Sequence, residues 1–258
     1  FDRWSMLNSA FKSYDINCCK ILLTVDNTFI PKDHDEFNNM CIDDNWNEMI
    51  YGQLLKEYRK DHIDFEYITI KNDQVENTYR DNGLIRSSLS SLKQSLLSAI
   101  NKYKYWMNSS DDYFLIKTYL PSAIEDELLL RLGQKPKLWE TPQIPKIEAN
   151  MGMRKWIIDK YSEFDEFLNV IGRMIPFHIP TAYLEGYNSL VNLIENLTWP
   201  KKPKCIFASN GIQTLDLLKA WAAQKTENGT ALIIGQHGGH YGIGLWSFEE
   251  DHEISISD

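Results

Sequence analysis

Residues 205–235, CIFASNGIQTLDLLKAWAAQKTENGTALIIG, decide the fold. Cys205–Ala208 is an apolar run of strand length, Ile212–Gln224 carries its apolar residues at helical spacing, and Ala231–Gly235 is a second apolar run. A strand, a helix and a strand within about thirty residues make a βαβ unit, which predicts parallel pairing and a right-handed crossover. The fold class that follows is α/β, a parallel sheet flanked by helices.

Working outward, Lys20–Val25, Phe65–Ile70 and Tyr113–Tyr119 read as further strands, and Glu253–Ser257 as a last one. Asp43–Arg59 reads as a helix with Trp46, Met49, Ile50 and Leu54 on one stripe and Asp43 or Asp44 as its cap. Ile85–Trp106 is a long amphipathic pattern. Ser122 and Glu125 have capping-box spacing and open a helix to Leu132, which Gly133 closes. Arg154–Met174 reads as a helix broken by Ile175–Pro180, and Tyr187–Leu197 as a shorter one. Asp26–Asp35, Gln74–Gly83 and Glu140–Asn150 have loop or linker composition. We divide the chain into an α/β region with helical insertions, 1–198, and the βαβ unit 199–258, in the same domain or opening the next. An opening at Phe1 and a close on a strand-like segment predict a fragment of a longer chain.

A formal charge of −9 argues against broad nucleic-acid binding, and the one tight basic run, Lys201-Lys202-Pro203-Lys204, reads as a solvated loop. The aromatic residues are numerous, eight Trp and thirteen Tyr, and serve either the core or a sugar or nucleotide pocket. Cys18, Cys19, Cys41 and Cys205 fit no zinc pattern. No apolar stretch approaches the roughly 20 residues of a membrane helix, and no signal peptide is recognisable, so a reducing, cytoplasmic compartment is expected.

Two loops follow the strands of the βαβ unit, where open α/β sheets bind ligands. Ser209, Asn210 and Gly211 can hold a polar or anionic substrate group, or serve only as a helix cap and turn. Gln236-His237-Gly238-Gly239-His240-Tyr241-Gly242-Ile243-Gly244 lets the backbone approach a ligand, and His237 follows its strand closely enough to be aimed by the sheet. A histidine there suits proton transfer near neutral pH. His237, His240 and His252 do not lie on one helix face, so no metal is expected, and Asp33-His34-Asp35 reads as a solvated loop. Glu185, flanked by Tyr183, Gly186 and Tyr187, is a candidate catalytic carboxylate with a raised pKa, or a packing residue. Glu249, Glu250, Asp251 and Glu253 form an acidic cluster that is either a solvated face or the source of a base. Asp258, at the end of the expected last strand, is a further catalytic candidate. There is no P-loop, dinucleotide fingerprint or GxSxG elbow.

The stretch Gln236–Gly242, followed by Trp246-Ser247-Phe248-Glu249-Glu250-Asp251-His252-Glu253, resembles the transferases of O-antigen and surface-polysaccharide gene clusters. Asp2-Arg3-Trp4, Thr118-Tyr119-Leu120-Pro121 and Tyr183-Leu184-Glu185 extend the resemblance over most of the chain. More distantly it is similar to two-Rossmann capsule-type glycosyltransferases, including β-Kdo transferases, and to teichoic-acid polymerases. The resemblance implies two facing Rossmann-like domains of the GT-B kind, of which this chain is the N-terminal part and lacks a domain. It implies transfer from a nucleotide sugar, with no other cofactor, to a glycan or lipid-linked acceptor, at the inner face of a membrane and with peripheral association at most. In that reading His237 is the proton acceptor or an electrostatic partner of the donor, with Glu185 and Asp258 as further catalytic candidates. Ser209, Asn210, Gly211, Gln236, Gly238, Gly239, His240 and Tyr241 contact substrate. An epimerase or hydrolase of sugar nucleotides, a polymer phosphotransferase and a non-catalytic glycan- or protein-binding module are the alternatives.

Overall fold

The computed structural model describes residues 1–22, 29–59, 63–68, 109–158, 166–238, 241–245 and 247–257. The expected loop Gln74–Gly83 and amphipathic stretch Ile85–Trp106 lie outside them. The chain is α/β, with small parallel sheets flanked by helices, and divides into two compact units.

The first unit comprises Phe1–Gly83 and Pro145–Tyr187. Strands β1 (Cys18–Leu22) and β2 (Asp64–Ile68) pair in parallel, Cys18 opposite Asp64 and Leu22 opposite Ile68. Helices α1 (Asp2–Ser13), α2 (His34–Cys41) and α3 (Asp44–Arg59) surround them. The stripe expected on α3 is its buried face: Trp46, Met49, Ile50 and Leu54 pack with Trp4, Leu22 and Met40. Each such side chain contributes about 1.5–3 kcal/mol on leaving water. Asp43 caps α3 by accepting from the Trp46 N–H at 3.0 Å.

Asp33 is not part of a solvated loop. It is buried and caps α2, accepting from the Glu36 N–H at 2.9 Å. Residues 155–158, expected to be helical, are not, and α5 (Glu166–His178) runs through the expected break with Pro176 inside it.

The second unit comprises Leu84–Ile144 and Asn188–Asp258. Strands β3 (Phe114–Ile116), β4 (Cys205–Ala208) and β5 (Ala231–Ile234) form a parallel sheet in that order. Phe114 stands at the centre of an aromatic core, its ring 4.7 Å from Trp199 and 4.5 Å from Trp221. The Trp199 indole N–H is satisfied by the Glu140 carbonyl at 2.7 Å. Helix α4 (Ser122–Arg131) ends on Gly133 at φ 76°, as its sequence requires. The expected capping box does not form there: Pro121 occupies the cap, and Glu125 instead accepts from the Thr118 hydroxyl at 2.6 Å. After α6 (Tyr187–Glu195), the single helix expected over Ile212–Gln224 is two, α7 (Gly211–Thr214) and α8 (Asp216–Thr226), separated by the extended Leu215.

The expected strand Glu253–Ser257 is instead the end of helix α9 (Phe248–Ile256). Ser247 caps it, accepting from the Glu250 N–H, and Glu249, Glu250 and Asp251 favour its positive end. Among the described residues no helix is long and apolar enough to cross a membrane.

Candidate functional site

Parallel pairing brings the carboxyl ends of β3, β4 and β5 to one edge of the second unit's sheet. The chain leaves β5 through Gly235, whose N–H bonds the Ala208 carbonyl at 2.8 Å. A Cβ at Gly235 would stand 2.7 Å from Ser209 Oγ, so only glycine lets the backbone pass here. Two residues later His237 emerges with its direction set by the sheet.

Its imidazole belongs to a closed cluster. Nε2 lies 3.0 Å from Glu253 Oε1 and 2.9 Å from the Tyr241 hydroxyl. Tyr241 donates to Glu253 Oε2 at 2.8 Å, and Gln213 Nε2 donates to Oε1 at 2.8 Å. Glu253 is 4% exposed, so these bonds are what keep a carboxylate in the interior. A phenol has one proton, and here it goes to Glu253. The Tyr241 oxygen and Glu253 Oε1 are then both acceptors facing Nε2, which fixes the proton of a neutral ring on Nε2 and leaves the lone pair on Nδ1. With a side chain 13% exposed, His237 keeps access to solvent. The Tyr241 hydroxyl is raised above its ordinary pKa, by burial first, then by its bond to Glu253 and the charges of Glu253, Glu249 and Glu250. It therefore stays protonated at neutral pH and holds the geometry.

Tyr119, from the loop after β3, lies near-parallel to His237, with centroids 6.0 Å apart and planes 23° apart. Asn210 Nδ2 donates to its hydroxyl at 2.7 Å. Ser209 is a buried strut: its Oγ donates to the Thr118 carbonyl at 3.0 Å and its N–H to the Lys117 carbonyl at 3.1 Å. A Cβ at Gly211 would come within 3.1 Å of both Leu218 and Lys117, so it packs the turn. Gln236 and Gly238 are exposed beside the histidine, while Gly239, His240 and Asp258 lie outside the described residues. The last strand that was to aim Asp258 is a helix.

Glu185 belongs to the first unit and not to this cluster. It accepts from Arg154 Nε at 2.7 Å, from Nη2 at 2.6 Å and from the Asn150 N–H at 2.8 Å. The raised carboxyl expected for it is reversed. Burial pushes it up, but the bonds from Arg154 and Asn150 outweigh that and bring it below its ordinary value.

Sequence reasoning saw Glu253 only as one member of an acidic cluster, and missed Gln213. A signal for Glu253 was present. Ser247-Phe248-Glu249-Glu250 has capping-box spacing, and a helix starting there places Glu250 and Glu253 three residues apart on one face. Among the described residues, no three or more His, Cys, Asp or Glu side chains gather as for a metal ion.

A family model for LIC12162 family transferases matches residues 1–258, the whole chain. The chain belongs to this transferase family. No curated protein and no solved structure matches it. In this LIC12162 family transferase the His237 cluster combines a ring nitrogen, a buried carboxylate behind it and partial exposure to solvent.

Proposed function

We propose that this transferase moves a sugar from a nucleotide-activated donor to a hydroxyl of a glycan or lipid-linked acceptor, in O-antigen or other surface-polysaccharide synthesis at the cytoplasmic face of the membrane. The observation that supports this reading best is the His237–Glu253–Tyr241 cluster at the carboxyl edge of a parallel sheet. The acceptor O–H gives its proton to Nδ1 of His237 as its oxygen bonds the anomeric carbon. The bond from that carbon to the donor phosphate breaks, and its electron pair leaves with the nucleotide. Glu253 steadies the imidazolium formed in this step, and Tyr241 and Gln213 hold Glu253.

The test uses the full-length protein. A thermal-shift screen against CMP-, UDP-, GDP- and CDP-sugars should find one nucleotide that stabilises it. Incubation of that donor with an acceptor glycan should yield the glycoside by mass spectrometry. Free sugar, an isomerised donor or a transferred phosphate group as the main product would replace this reading with a hydrolase, an epimerase or a phosphotransferase. Stabilisation by none of the nucleotides would favour a non-catalytic module.

A further inference from the structure

Among the described residues, the non-glycine residues with a left-handed backbone both lie in the loop that leaves β3. Lys117 (φ 51°) and Tyr119 (φ 60°) both occupy the left-handed region, which side chains with a Cβ rarely adopt. Buried bonds hold the loop there. Ser209 grips the Lys117 and Thr118 carbonyls, and the Thr118 hydroxyl donates to Glu125 and accepts from the Leu120 N–H at 3.3 Å. Left-handed outliers persist only where their surroundings enforce them, and they gather where ligands are handled.

What this loop presents is a phenol ring that is 65% exposed, next to His237 and tethered through its hydroxyl by Asn210. A large ring left mostly in water on a left-handed backbone gains little from burial in the folded chain. It gains more once a ligand covers it.

The charges beside His237, which the ring faces, bear on the choice of ligand. The carboxylates of Glu249, Glu250 and Glu253 all bear on the Tyr241 hydroxyl, which touches His237. Against them the loop contributes one cation, Lys117. A phosphate is repelled from such a place, whereas an uncharged sugar is not. The C–H face of a pyranose packs on an aromatic ring, and its hydroxyls can meet the Tyr119 hydroxyl and the Asn210 amide.

We infer that Tyr119 is the stacking platform of the acceptor subsite. An uncharged sugar ring lies against it with a hydroxyl at Nδ1 of His237, and the phosphates of the donor bind elsewhere. This rests on the sugar-transfer reading above.

The experiment compares Tyr119→Asn and Tyr119→Phe with the wild type in the full-length transferase, with the KM of acceptor and donor measured separately and each variant melted. Asparagine removes the ring but tolerates the left-handed backbone. Tyr119→Asn should raise the acceptor KM about tenfold and leave the donor KM within about twofold, as expected for the loss of one stacking contact. Its melting midpoint should hold or rise, because strain is relieved. Tyr119→Phe keeps the ring and should hold the acceptor KM within about threefold. An unchanged acceptor KM in Tyr119→Asn, a parallel rise in the donor KM, or a lowered melting midpoint with both constants raised would overturn the assignment while leaving sugar transfer standing. A wild-type enzyme that transfers no sugar would remove both.

Discussion

In the first unit Glu185 meets Arg154, and in the second Glu253 meets His237. Both carboxylates are buried and both face a basic side chain, at 2.6 Å and 3.0 Å. The difference lies in what the base has left over. Arg154 is fully buried, and beyond Glu185 it donates to the Pro176 carbonyl at 2.7 Å and the Ile179 carbonyl at 2.8 Å. A guanidinium cannot give up its proton in this range, so the pair serves as a lock that ties the turn at residues 151–154 to the end of α5. Among the described residues, the hydrogen bonds of the His237 ring are made by Nε2 alone, and the side chain is 13% exposed. A neutral imidazole held by a carboxylate at one nitrogen keeps a lone pair on the other, whereas a guanidinium has none to offer.

The largest effect expected from this contrast is on the lock. Arg154→Ala leaves Glu185 buried without its cation and should lower stability by about 3–5 kcal/mol, read as a fall in the urea midpoint. The double replacement Arg154→Met with Glu185→Leu should recover most of that loss. A single-variant loss near zero would show that water reaches the pair.

The histidines extend the contrast. His178 in the first unit binds Gln53 through Nε2 at 2.7 Å, and its Nδ1 has no hydrogen-bond partner among the described residues. Burial, and then the charge of Arg154, push its pKa from 6.5 down to about 4. An unfolded chain binds this proton near 6.5 and the folded chain only near 4, so stability is intact above 6.5 and falls as pH drops between the two. The loss should approach about 3 kcal/mol by pH 4. Urea unfolding at several pH values should show this slope in the wild type and lose it in His178→Asn. An equal slope in the variant would assign it to other groups.

A smaller effect is expected at Glu253. Glu253→Gln keeps the shape and removes the charge, and should slow transfer about 100-fold. Nitrogen-15 spectra of the wild type at a pH where the ring is neutral should show the proton of His237 on Nε2, and the variant should mix the two tautomers. The smallest effect belongs to Tyr241→Phe. It leaves the bond from Nε2 to Glu253 in place, so the rate should fall only about fivefold. A loss as large as that of Glu253→Gln would make the phenol a participant in proton transfer.

Much of this was legible where the local signals agree. Cys205–Ala208 is β4 residue for residue, Ala231–Gly235 overshoots β5 by one, and the Trp46–Leu54 stripe is the buried face of α3. The histidine that the β5 loop presents could be found because a strand's end and its glycines are local features. Its carboxylate was hidden by a conflict of periods. Ile254 and Ile256 alternate with polar residues as in a strand, yet the cap at Ser247 and the acidic first turn make a helix, and Ile254 stays 67% exposed. The Arg154–Glu185 lock was illegible for another reason. Its partners are 31 residues apart, and neither type nor spacing announces the pairing.

In the proposed reaction, the imidazole of His237 takes up the acceptor's proton. The most direct test of this step is the rate of sugar transfer by His237→Ala in the full-length enzyme, with folding verified by circular dichroism. Loss of this base should lower kcat about 100-fold or more, with donor binding retained. Transfer within about threefold of wild type by a folded variant would contradict it.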